Sequence, residues 1–321
     1  MTMTKELHVV LGGSGAIGRA VIKALQAKKL QVRSVERSKK VKGVDTVMAN
    51  LLDTDQAIKA IKGASHVYLC VGLPYRSDVW KSDWPKLMKS VVNACSTNSA
   101  KLIFFDNIYM YGPAPLSTPF DEKSAQHPTT NKGKARKQTA DLLLEAHKSG
   151  KVKALIGRSA DFYGPNAVNS PFYISFLERM NKGKNPQVLA KKGMPHTYAY
   201  SVDNGRALVE LALDDSAYGQ AWHLPVGEPI TIDDALTIMN KIIGTSFKAS
   251  YMPRPLLGLL SVLVPPVKEV KEMLYQFDSP YIMSDKKFRT KYPNFVTTSY
   301  DDGFRAMVES FKNVTVQKSN L

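Results

Sequence analysis

The amino-acid sequence predicts an α/β fold, a doubly wound parallel sheet with a smaller C-terminal α/β cap. Three observations point there. Short apolar runs alternate with stretches of helical spacing through the first half of the chain, a glycine-rich turn, LGGSGAIG at 11–18, follows the first such run, and the alternation loosens after about residue 165, where prolines and glycines multiply. With 321 residues and 44% hydrophobic content the chain can bury one large core or two smaller ones. No internal repeat, low-complexity tract or long linker interrupts it.

Taken in order, residues 6–11 (ELHVVL), 31–36 (QVRSVE), 44–49 (VDTVMA), 66–71 (HVYLCV), 101–105 (KLIFF) and 152–157 (VKALIG) read as strands. Between them 17–28, 54–62, 84–98 and 134–148 carry apolar residues at helical spacing. Such alternation means parallel strands with helices on both faces. Further on, a helix is expected at 203–213 (DNGRALVELAL) and a strand at 221–225. The expected division is a sheet domain over 1–165, to which 196–225 returns, and a cap made of 166–195 and 226–321. The apolar run at 255–267, followed by KEVKEMLYQF, reads as a helix closing over the pocket, packed in the core of that cap or, as the alternative, lining the pocket for an apolar substrate. At 13 residues with three prolines it is too short for a bilayer span, which needs roughly 20.

Glycines at 12, 13, 15 and 18 are costly in conformational entropy, so something must approach the backbone closer than a side chain permits. A strand before the turn and a helix after it, with Ile17, Val21, Ile22 and Leu25 on the apolar face, make this a dinucleotide-binding turn. Gly12, Gly15 and Gly18 then shape the turn, and the amides of Ala16 and Ile17 at the helix N-terminus face the pyrophosphate. Gly72, past the fourth strand, lines the same cradle. Asn50 and Leu51, past the third, flank the adenine. Glu36, ending the second strand, suits the ribose hydroxyls of NAD, whereas Arg37, with Lys39 and Lys40, suits the 2′-phosphate of NADP. The positive local balance leans weakly to NADP, with Glu36 turned aside.

Net charge is +16, from 44 Lys and Arg against 28 Asp and Glu. The basic residues are dispersed, and the densest runs, RSKK at 37–40 and NKGKARK at 131–137, are short. This suits attraction of an anionic small molecule and argues against nucleic acid as the partner. Cys70 and Cys95 form no disulfide framework, the first ten residues lack the features of a signal peptide, and a cytoplasmic address is expected. The six histidines and the carboxylates show no metal-ligand spacing, so no metal is predicted.

Five segments stand in register with one known family: LGGSGAIG at 11–18, FFDNIYMYGP at 104–113, GRSADFYGPN at 157–166, HTYAYSVDNGRAL at 196–208 and YGQAWHLPVGEPITIDDAL at 218–236. Through them the chain resembles the extended short-chain dehydrogenase/reductases, the NAD-dependent epimerase/dehydratase family, over nearly its whole length. The resemblance implies a Rossmann domain holding NAD or NADP, a C-terminal part that binds a small-molecule substrate, and a homodimer formed through helices 84–98 and 134–148. It also implies a catalytic Tyr with a Lys four residues later and a Ser or Thr from the loop after the preceding strand.

Here the sequence departs from the family. None of its 14 tyrosines has a lysine four positions on. In TTNKGKARKQ at 129–138 the Tyr position falls on Thr130 or Lys132, and the Lys position on Lys134 or Arg136. The Ser or Thr position is Asn107. Tyr109 is the expected replacement acid, with Asn107 and Lys134 (or Lys132) in support, and Tyr75 is the second candidate, otherwise a substrate contact. By the same resemblance Asp161 and His196 contact substrate. The activity expected first is an NAD(P)-dependent oxidoreductase acting on a carbonyl or secondary alcohol of a small organic molecule. The alternatives are an epimerase or dehydratase on a sugar-like substrate, and a dinucleotide-sensing regulator without catalysis.

Overall fold

The first strand, β1 (Leu7–Leu11), has Val9, Val10 and Leu11 wholly removed from solvent, so both of its faces must be covered. It lies within a seven-stranded sheet with β2 (Gln31–Glu36), β3 (Asp45–Met48), β4 (Ala64–Leu69), β5 (Lys101–Asp106), β6 (Ala154–Arg158) and the strand Ala221–His223. The order across the sheet is Ala221–His223, β6, β5, β4, β1, β2, β3. Every neighbouring pair is parallel. Winding therefore reverses between β1 and β4, which opens a crevice at the carboxyl ends of these two strands, the place where such Rossmann sheets take ligands.

The computed structural model describes residues 6–255, 257 and 265–318. The expected helix over 255–267 falls largely outside them. No described helix is long and apolar enough to cross a membrane.

Helix α1 (Ala16–Ala27) buries Ile17, Val21, Ile22 and Leu25, the stripe its sequence spacing marks. In α2 (Thr54–Ala60), Asp53 caps the start by accepting from the amides of Asp55 and Gln56. Helix α3 (Ser77–Thr97) begins seven residues before the position its apolar pattern suggested, and Pro85 lies inside it. The added turns are held by Trp80 and Trp84, buried one helical turn apart. Helix α4 (Asn131–Lys148) packs against α3, and it too starts earlier than expected. Its first buried charged side chains are Lys132 and Arg136, which read as surface in a hydropathy pattern. Leu87 and Val91 of α3, Ala135 and Leu143 of α4, and Val9, Leu69 and Phe104 of the sheet share one core. Burying a side chain of this size contributes roughly 1.5–3 kcal/mol.

The described residues form two compact units. One comprises the chain up to Met110, Asn131–Ser159 and Val202–Leu224. The other takes Tyr111–Thr130, Ala160–Ser201 and the residues from Pro225 onward. Residues 111–130 thus group with the second unit, although their place before α4 put them in the sheet domain by sequence order. A short parallel pairing of Gly112 with Gln126 and of Phe120 with Met283 accounts for this. Within the second unit, the helix Ile232–Ile243 opens on a Thr231–Asp234 capping box and packs against the helix Tyr300–Lys318. Its core is aromatic, with Phe172 in ring contact with Tyr163, Tyr198 and Phe304.

Candidate active site

The glycine turn follows β1 directly. Gly12 has φ +85°, and a Cβ there would lie 3.1 Å from the backbone of Val71. A Cβ on Gly18 would stand 2.2 Å from the Gly12 carbonyl oxygen, so helix and turn touch backbone to backbone. Gly15 differs from both. A Cβ on it would meet only the Gly12 oxygen, at an ordinary 3.5 Å. The fold itself does not demand glycine at 15, and the space above it is open. Gly15 is also the N-cap of α1, where no side chain caps the helix and no acidic residue occupies the first turn. The amides of Ala16 and Ile17, in that first turn, lack partners within the helix. An uncapped N-terminus beneath an open glycine fits a pyrophosphate. Gly72 likewise borders open space.

Glu36 is buried at the end of β2. Its Oε1 accepts from the Ser14 amide at 2.8 Å and from Ser34 Oγ at 2.8 Å, while its Oε2 accepts from Ser14 Oγ at 2.7 Å. The carboxylate is thereby tied to the glycine turn. Arg37, Lys39 and Lys40 are exposed. Asn50 is exposed, its Oδ1 accepting from the Leu52 amide, and Leu51 is half-buried against the core. Ser14, the donor that orients Glu36, escaped sequence reading because a serine between glycines carries no signal of its own.

The carboxyl end of β5 carries the second group. Asp106, fully buried, accepts from Arg136 Nε at 2.7 Å and from the Asn107 amide at 2.8 Å, and Arg158 Nε lies 3.8 Å from its other oxygen. The Arg136 guanidinium lies 4.0 Å from the centre of the Trp84 ring and 4.9 Å from that of Phe104. It is a buried charge, neutralised and stacked, and so holds α4 to β5. One turn earlier, Lys132 has no exposure. Its Nζ donates to Ser77 Oγ at 2.9 Å and lies 4.6 Å from the centre of the Tyr75 ring. Lys132 and Arg136 therefore share the inward face of α4. Lys134, the support expected first, is exposed on the outer side of the helix. Its neighbour two positions earlier occupies the interior instead, because inward positions on a helix recur every three or four residues and Lys134 lies between them.

Tyr75 and Tyr109 converge on one indole. Tyr109 stacks on Trp80 at 6.0 Å and Tyr75 meets the same ring edge-on at 5.4 Å. Asn107 uses its Oδ1 to accept from the Tyr109 amide at 3.1 Å, shaping the loop. Tyr75 is 40% exposed, and Tyr109 is half-buried. Ser77 and Trp80 were not singled out in the sequence, since each acts only through residues distant along the chain.

Asp161 and His196 lie in the second unit. They face each other, with His196 Nε2 3.4 Å from Asp161 Oδ2. The imidazole is buried and stacked against the rings of Phe277, Tyr198 and Tyr281. His196 also borders a narrow crevice lined by Met194, Tyr198, Ile232, Gln276 and Phe277.

The NAD dependent epimerase/dehydratase family matches residues 8–222. The chain belongs to that family. It is an enzyme of the epimerase/dehydratase type, with the Rossmann sheet that its motifs predicted. Among similar solved structures is a UDP-glucuronic acid 4-epimerase from Bacillus cereus in complex with NAD, at TM-score 0.78 and 17% identity, covering 96% of this chain and 99% of that one. A Thermus thermophilus UDP-glucose 4-epimerase with NAD aligns at TM-score 0.75 and 18% identity over 95% and 99% of the two chains. A dTDP-glucose 4,6-dehydratase from Streptomyces venezuelae, with NAD bound, aligns at 0.77 and 13% over 96% and 97%. No curated protein matches the chain.

Proposed function

We propose that this epimerase/dehydratase-family enzyme binds NAD and oxidises, then re-reduces, a secondary alcohol carbon of a sugar-like substrate, with nucleotide sugars as the leading class. The observation that carries the reading is the open cradle at Gly15 with Glu36 anchored beside it. NADP would require the Glu36 carboxylate to turn aside. Ser14 and Ser34 instead hold it with three hydrogen bonds, where it repels a 2′-phosphate and can accept from ribose hydroxyls. These bonds support NAD over the weak sequence lean toward NADP, and NAD is the cofactor in the neighbouring structures. NAD, when bound, supplies a hydride acceptor that can hand the hydride back.

The chain's own residues must move the proton. Tyr75 Oη is the acceptor we favour, because the Lys132 Nζ lies over its ring and the ring is partly exposed beside the carboxyl ends of the strands. Ser77 Oγ holds Lys132 in place. Arg136 cannot serve in the same way, since Asp106 engages it. Asn107 shapes the loop through the Tyr109 amide. Asp161 and His196 remain the proposed substrate contacts, and the net charge of +16 favours arrival of an anionic substrate. A second reading keeps Tyr109 as the acid, favoured by its place on the same Trp80 ring as Tyr75.

The test is incubation with NAD⁺ and a panel of UDP- and dTDP-sugars followed by proton NMR. Isomerisation or loss of water without net NADH is expected. Tyr75→Phe and Lys132→Met should each lower the rate about 10²- to 10⁴-fold, with Tyr109→Phe close to wild type. The reverse pattern establishes Tyr109 as the acid. No conversion of any sugar by a protein that binds NAD overturns the proposed reaction.

A further inference from the structure

The glycine turn and the end of β2 meet around one carboxylate, and its lone pairs can be counted. Glu36 is 7% exposed, and Ser34, two residues earlier on the same face of the strand, has no exposure. Glycine at 13 makes room for that serine, since a Cβ there would stand 2.3 Å from Ser34 Oγ. An ionised carboxylate offers about four lone-pair positions, divided between its two oxygens. Glu36 Oε1 takes two donors, the Ser14 amide at 2.8 Å and the Ser34 hydroxyl at 2.8 Å. Glu36 Oε2 takes one, the Ser14 hydroxyl at 2.7 Å. Among the described residues Oε1 is thus filled, and Oε2 can accept once more.

This contact also settles what Ser14 can do. Its single hydroxyl proton is committed to Glu36, so toward anything else Ser14 Oγ is an acceptor with lone pairs to spare. Ser14 is only half-buried, whereas Ser34 is sealed in the interior. Two acceptors, Glu36 Oε2 and Ser14 Oγ, therefore lie 2.7 Å apart beside the glycine turn. A vicinal diol presents two hydroxyl donors side by side and matches such a pair. A phosphate monoester brings acceptor oxygens and negative charge, and matches neither atom.

We propose that Ser14 Oγ is a direct contact of the adenosine ribose, accepting from one of its two hydroxyls while Glu36 Oε2 accepts from the other, and that Ser34 is a positioning residue that occupies Oε1 and so determines which oxygen stays available. The inference rests on the NAD reading above and divides between two residues a task that the sequence assigns to Glu36 alone. Selection against NADP follows from the same arrangement. A 2′-phosphate would meet the carboxylate charge and a serine whose proton is already engaged, with no hydroxyl of its own to offer. Ser34 acts at one remove, since loss of its hydroxyl frees Oε1 and lets the carboxylate turn from the turn toward solvent.

Full-length protein is titrated with NAD⁺, with its 2′-deoxyadenosine and 3′-deoxyadenosine analogues, and with NADP⁺, followed by tryptophan fluorescence. The wild type should bind each deoxy analogue about tenfold more weakly than NAD⁺. Ser14→Ala should bind NAD⁺ about tenfold more weakly and should hold one of the two analogues as well as NAD⁺, because the hydroxyl missing from that analogue has lost its acceptor. Ser14→Cys, whose thiol is a weak acceptor, should behave alike and keeps the test valid if the alanine variant fails to fold. Ser34→Ala should narrow the preference for NAD⁺ over NADP⁺ about tenfold, a ratio that general loosening of the fold would leave unmoved. If the Ser14 variants weaken NAD⁺ and both analogues by one common factor, or if the wild type is indifferent to either missing hydroxyl, the ribose contact is overturned while NAD binding stands. An unchanged ratio in Ser34→Ala overturns the positioning role. A wild type that binds no NAD⁺ overturns the cofactor reading itself, and this inference with it.

Discussion

Single residues carry the clearest division between fold and function. Gly18 and Gly15 look alike in the sequence, yet a Cβ at 18 would collide with backbone at 2.2 Å whereas one at 15 meets ordinary contact at 3.5 Å. Gly18→Ala is expected to cost about 1–3 kcal/mol in urea unfolding. Gly15→Ala should change stability by no more than about 0.5 kcal/mol and should weaken NAD binding at least tenfold by fluorescence titration. Equal stability losses in the two variants would mean that Gly15 serves packing rather than ligand. The lysines at 132 and 134 teach the same lesson. Composition cannot tell a buried lysine from an exposed one, and only the inward face of α4 separates them. Glu36 stood out in the sequence as the acid ending β2, but its orientation depends on Ser14 and Ser34, which carry no pattern.

At the scale of elements, α4 is joined to β5 by a charge rather than by an apolar stripe. Asp106, with no exposure, neutralises Arg136 and also holds the Asn107 amide that starts the loop bearing Tyr109. Removing its charge takes from the buried Arg136 guanidinium the carboxylate that neutralises it. Asp106→Asn is expected to destabilise the protein by about 3–5 kcal/mol, read as a lowered urea midpoint with an unchanged slope. A loss below about 1 kcal/mol would show that the aromatic stack on Trp84 alone suffices to hold α4. The sheet strands were placed within a few residues because runs buried on both faces declare themselves in hydropathy. The starts of α3 and α4 did not, since Trp80, Lys132 and Arg136 are held by partners on other elements.

For the whole molecule, a ligand that binds only the folded state raises stability by mass action. NAD⁺ at about 100 times its dissociation constant should add about 2.7 kcal/mol, seen as a higher melting temperature, and NADP⁺ at equal concentration should add less. A larger shift with NADP⁺ would mean that Glu36 gives way to a 2′-phosphate and that the exposed Arg37 and its neighbouring lysines decide selection. By itself the sequence determined the alternating α/β order, the parallel sheet and the place of the glycine turn, because these depend on local periodicity and on glycines close in the chain. Tertiary structure alone decided which lysine is buried, which phenol it meets, where residues 111–130 belong, and that Ser14 meets Glu36. These contacts form between segments whose separation along the chain bears no relation to their distance in space, so no local pattern can encode them.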